Sequence, residues 1–137
     1  MSGKFNSYKQ SLLDGTAPDL TTATVKAMLI SQADSGAITA STADFLNDLE
    51  DSRYAGPTDQ TLASKTTTNA AFNAAAWVYT SVVADAAKSA DIVIFYAALG
   101  GASSADPVIA WWDAFTGQVP DGNNITCTPH ASGLFKV

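Results

Sequence analysis

Only a few residues in this chain have types and spacings suited to chemistry. Cys127 and His130, three apart, are the sole thiol and the sole imidazole. Together they offer two ligands of a zinc site, which needs about four. Their competing reading is a small buried strand residue and a turn histidine. His130 is also the only possible base for a Ser-His-Asp arrangement, but no Gly-x-Ser-x-Gly elbow occurs. Asp44 and Asp48 share a face if their segment is helical, as an acid/base pair would. Two solvated carboxylates favoured by a helix N-terminus explain them equally well. Asp106, Asp113 and Asp121 are oxygen donors without a calcium-loop pattern. Gly100-Gly101 follows an apolar run but does not continue into a phosphate-loop motif, so it reads as a turn. These patterns predict no enzyme, no metal and no cofactor.

The elements that would position such residues read mainly as strands. Residues 4–14 predict a short helix with Phe5, Tyr8, Leu12 and Leu13 on one side and Gly15 at its C-terminal stop. Residues 24–30 predict a strand and 31–40 a loop. Ser41 or Thr42 then caps a second short helix over 43–51. Gly56-Pro57 marks a turn. Strands are expected at 61–68, 70–76, 77–83, 92–99, 108–115, 124–128 and 133–137, with a turn at Pro120-Asp121-Gly122. The unbroken apolar run Ile92–Leu99 predicts a central strand covered on both faces. Short strands with frequent turns give a mainly β, single-domain antiparallel sandwich, or a barrel-like jelly roll, over 1–137. A helical arm over 1–20 precedes its β pattern.

Aromatic residues are the candidate interface anchors. Strict alternation over 108–115 puts Val108, Ala110, Trp112 and Ala114 on one face, with Ile109, Trp111, Asp113 and Phe115 on the other. Asp113 marks its face as the wetter one, which makes Trp111 the rim candidate. Trp77 and Tyr79 share a face and pose the same choice between core and interface. Phe5 and Tyr8, outside the β pattern, predict an N-terminal segment (Ser2–Tyr8) that reaches a neighbour. In the alternative reading of a small-ligand or carbohydrate-binding sandwich, the same aromatics, Trp77 with Tyr79 or Trp111, line a concave binding surface.

Composition narrows the function classes. The chain has 137 residues, is 47% hydrophobic and only 15% charged, and has a net charge of -6. Its seven basic residues are scattered singly, which argues against nucleic acid and anionic membranes. The apolar run of 92–99 is far short of the ~20 residues of a membrane span. Met1–Asn6 carries a charge but no apolar stretch, so no secretory signal is expected there. Scarce charge suits surface that is covered by other proteins.

The order of several motifs resembles a family of small virion proteins of tailed bacteriophages, the head decoration or cement proteins. The matching stretches are Thr24-Val25-Lys26-Ala27-Met28-Leu29-Ile30, Asp44-Phe45-Leu46, Tyr54 and Thr61-Leu62-Ala63-Ser64-Lys65-Thr66. Phe72-Asn73-Ala74 with Trp77, Ile92–Tyr96, Pro107–Asp113, Asn124–Cys127 and Gly133–Val137 follow in order. Cys127 replaces an aromatic of that pattern, and Ala74-Ala75 replace an acidic pair. The resemblance implies a structural virion protein on the outer capsid surface, made in the host cytoplasm. Its partners would be the major capsid protein and sister copies, as a homotrimer. A tail, baseplate, head–tail joining or fibre-adaptor part is the alternative within the virion. The resemblance carries no active site.

Overall fold

The computed structural model describes residues 3–31, 42–113 and 118–137. Ser41, the loop of 32–40 and the end of the predicted 108–115 strand, Ala114 and Phe115, lie outside the described residues. The architecture is mainly β and sandwich-like, with antiparallel sheets and no closed barrel.

The central sheet has the order β1-β8-β7-β2-β3, formed by Gly3–Lys4, Val108–Trp112, Ile92–Ala97, Val25–Ile30 and Gln60–Thr61. β7 is buried along its whole length, as its continuous apolar run requires. Its odd positions Val93, Phe95 and Ala97 join one core with Val25, Ala27 and Leu29 of β2. Its even positions Ile92, Ile94 and Tyr96 join a second core with Met28 and Ile30. The period of two thus sends alternate residues to two different cores.

The first core is roofed by two small sheets. One has the order β10-β5-β4 (Phe135–Lys136, Ala71–Asn73, Thr66–Thr68), and the other pairs β6 (Trp77–Tyr79) with β9 (Ile125–Cys127). Aromatic edges lock the layers together. Trp77 meets Phe95 at 5.9 Å and Trp112 at 5.8 Å between ring centroids, and Phe135 meets Phe95 at 5.7 Å. Such contacts add about 0.5–1.5 kcal/mol each beyond their buried area. The second core is covered by Phe5, Ala43, Leu46 and Leu49.

Several elements differ from the sequence expectation. The strand predicted over 61–68 is two strands in different sheets, broken at Ser64 with φ +50°. The helix predicted over 43–51 is instead two 3₁₀ turns, Leu46–Asp48 and Glu50–Ser52. Backbone pairing explains this. Leu46 N–H donates to the Asp106 carbonyl, and Val108 N–H donates to the Asp44 carbonyl. Residues 44–46 are therefore held extended beside 106–108 and cannot start a helix.

Alternation in β8 also breaks. Phe95 faces Ala110 and Tyr96 faces Val108, leaving Ile109 as the extra residue of a β-bulge. Val108 therefore joins the second core, while Ile109 and Ala110 both join the first. Below the bulge, Trp112 is in the first core and Trp111 packs half-buried against the second.

The N-terminal helix α1, Asn6–Leu13, closes with Gly15 at φ +69°. Thr16 N–H reaches the Ser11 carbonyl at 2.9 Å and Gly15 N–H the Leu12 carbonyl at 3.4 Å, a Schellman stop. The helix buries Tyr8, but Leu13 is 82% exposed and Leu12 36% exposed, so the predicted four-residue apolar face is only half used.

Candidate functional site: an acid-free sheet layer

The residues singled out for chemistry do not converge. Among the described residues, no three His, Cys, Asp or Glu side chains lie close enough to hold a metal. Cys127 is buried, and desolvation pushes its thiol up to about 12. At neutral pH it holds its proton and is a poor nucleophile. His130 is exposed and its Nδ1 lies 2.7 Å from Ser132 Oγ. The same nitrogen accepts the Ser132 backbone N–H at 3.1 Å, so the pair closes a turn.

Asp44 and Asp48 do not form an acid/base pair. Asp48 Oδ2 accepts the backbone N–H groups of Asp44 at 2.9 Å and Phe45 at 3.0 Å. Those bonds hold the Asp48 carboxyl below the usual carboxylate range, the opposite of a general acid. Asp106 and Asp121 are likewise occupied: Asp106 Oδ1 accepts Leu99 N–H at 2.7 Å, and Asp121 binds the backbone and side chain of Asn123. A partly buried polar network also forms. Arg53 grips Asp59 with two bonds, at 2.9 and 2.8 Å, and Tyr96 Oη donates to the same carboxylate at 2.8 Å. Asp59 is thus bonded to both Arg53 and Tyr96, which pins the 53–59 turn to β7.

Four of the five predicted interface anchors are core residues. Phe5, Tyr8, Trp77 and Tyr79 are buried in the chain's own cores. Of the predicted Ser2–Tyr8 segment, Ser2 lies outside the described residues, while Gly3 pairs with Trp111 and Lys4 with Ala110 of the chain's own β8. Phe5 plugs the second core and stacks edge-on to Trp111 at 5.1 Å. Trp77 and Tyr79 point inward because Val78, between them, takes the outward position on β6. No concave aromatic surface for a sugar is formed by them. Trp111 alone of the five is only half-buried.

What the fold does bring together is a set of strands without Asp or Glu side chains. Residues 60–84 and 122–137 contain Lys65, Lys136 and His130 but no Asp or Glu. These two stretches supply β4, β5, β6, β9 and β10, the entire outer layer over the first core. All 13 acidic residues lie elsewhere in the chain. Asp44, Asp48, Glu50 and Asp51 belong to the segment whose Leu46 and Leu49 cover the second core, across the central sheet from that layer.

The outward rows follow from register. Inward-facing Phe72 pairs with Phe135 and Thr67, so the alternate rows face out: Lys136–Ala71–Thr68, and Asn73–Thr66. On the neighbouring pair, Val78 and Thr126 form the outward row. Thr66, Thr68, Asn69, Ala71, Asn73 and Lys136 line a shallow depression of about 480 Å³. Asn69 and Ala70, at φ +51° and +59°, join β4 to β5 as a two-residue hairpin turn of the I′ kind. The shortage of charge is visible in the sequence but this site is not, because its two stretches are separated by two central strands, β7 and β8.

The chain matches no protein-family model and no curated protein.

Proposed function

We propose that this protein is a capsid decoration (cement) protein of a tailed bacteriophage. It docks its acid-free outer layer on the major capsid protein and presents its acidic side to solvent. The observation that carries this reading is that the strands roofing the first core carry no Asp or Glu, while Asp44, Asp48, Glu50 and Asp51 lie together on the segment across the central sheet. An attachment protein needs one face with little charge to desolvate, since a buried unpaired charge costs several kcal/mol. It also benefits from an acidic outer face, which keeps coated particles apart. The order of motifs along 24–137 and the lack of converging catalytic groups among the described residues point the same way. Binding the assembled lattice, but not separated subunits, stabilises the shell by mass action. Three copies around a local three-fold axis would add avidity.

The test is to mix the purified protein with undecorated phage heads and sediment the particles. Saturable co-sedimentation, with greater resistance of the heads to heat, supports the reading. Protein left in the supernatant at every concentration contradicts it.

A further inference from the structure

We infer that the depression on the β4–β5–β10 face is the docking seat for an acidic segment of the partner protein. This deepens the reading above and rests on it. Three observations converge. First, the face is open: Thr66, Thr68, Asn69 and Lys136 are exposed and Ala71 and Asn73 half-exposed. Ala71, between Lys136 and Thr68 on one cross-strand row, leaves a low floor flanked by longer side chains.

Second, its cation is available. Lys136 Nζ has no hydrogen bond or ion pair among the described residues, whereas Lys65 on the same layer folds back to donate to the Ala23 carbonyl. Around Lys136 stand neutral donors: the Thr66 and Thr68 hydroxyls and the Asn69 amide. An ammonium with nearby hydroxyl and amide donors is a carboxylate-accepting set.

Third, the charge pattern selects the occupant. The two stretches of the outer layer carry two lysines and no Asp or Glu within a chain of net charge -6. An acidic segment is attracted here and repelled by the remainder of the surface, which orients docking as well as strengthening it.

The inference is tested with full-length protein on undecorated heads, comparing charge reversals of equal size on and off the face. Lys136→Glu should lower occupancy at least about tenfold, and Thr68→Glu should do so independently. Lys9→Glu, on exposed α1, should change occupancy by less than about twofold. Circular dichroism and thermal melting establish that each variant is folded. Wild-type occupancy should also fall as salt rises, because screening weakens charge attraction. Undiminished binding by folded Lys136→Glu and Thr68→Glu, with wild type bound, overturns the inference and leaves the docking reading standing. An equal loss from Lys9→Glu also overturns it, since net charge would then be the cause. Wild type that fails to bind heads overturns both.

Discussion

The indole of Trp111 lies across the backbone of Gly3, its cross-strand partner. A Cβ built on Gly3 would sit 2.2 Å from Cζ2 of that ring. Only glycine leaves room for the ring here, and the ring in turn covers an edge strand of just two residues. Phe5 follows, fully buried, with its N–H bonded to the Ile109 carbonyl at 3.1 Å. The N-terminal segment is thus a strap over the second core.

Gly3→Ala should therefore displace the strap or the indole, costing about 1–3 kcal/mol by overpacking. Phe5→Ala should cost more, about 3–5 kcal/mol, because it empties a core position. Urea unfolding gives both values, and limited proteolysis should show earlier cleavage near the N-terminus in each variant. A deletion of residues 1–8 is expected to destabilise the isolated domain, since it removes Phe5 and Tyr8 from its cores.

Ile94 sits fully buried at the middle of β7, opposite Met28 on one side and Trp111 on the other. Ile94→Ala should destabilise the fold by ~2–5 kcal/mol through a cavity. The denaturant midpoint should fall with an unchanged slope if the native state stays intact.

The Asp48 carboxylate, held low by two backbone N–H groups, links stability to acid pH. A carboxyl whose folded value is depressed stabilises the fold above its unfolded value, about 4, and loses that contribution as pH falls through the folded one. Asp48→Ala should cost roughly 0.5–1 kcal/mol near pH 6, a modest figure because the site is solvent-exposed. The gap between variant and wild type should close as the pH is lowered through the depressed folded-state value, as measured by urea unfolding at each pH.

Alkaline pH should act in the opposite sense through buried groups. Burial pushes Tyr8 up to about 12 and the Cys127 thiol up to about 12. Desolvation raises Tyr79 well above the ordinary tyrosine value, and burial with the Asp59 bond raises Tyr96. Their contribution is complete below the unfolded values, about 8.5 for Cys and 10 for Tyr, and is lost as pH rises through the folded ones. Native protein should therefore show little phenolate absorbance from these tyrosines near pH 10, with a steep rise on alkaline unfolding. Cys127 should resist thiol reagents at pH 8 until denaturant is added.

Local patterns foretold the parts of the fold that local chemistry decides. The run 92–99 announced β7, and Gly15 announced the end of α1. Long-range pairing decided the remainder. Residues 44–46 have helix-compatible types but are tied to 106–108, and Thr61 and Thr66 are near in sequence yet serve different sheets. Alternation over 108–112 could not foresee a bulge at Ile109. Trp77 and Tyr79 could be placed on one face, but their period is the same whether that face meets a partner or the chain's own second layer. The candidate surface shows the same limit: 60–84 and 122–137 are each visibly free of acid, and only topology joins them in one layer.

The central claim is a one-sided coat of the head lattice, and copy number in purified virions tests it most directly. Quantitative mass spectrometry against the major capsid protein should find on the order of hundreds of copies per particle, retained on heads without tails, as symmetric coverage of a lattice demands. A value of about six or twelve copies, as expected of a ring at one vertex, would contradict the account.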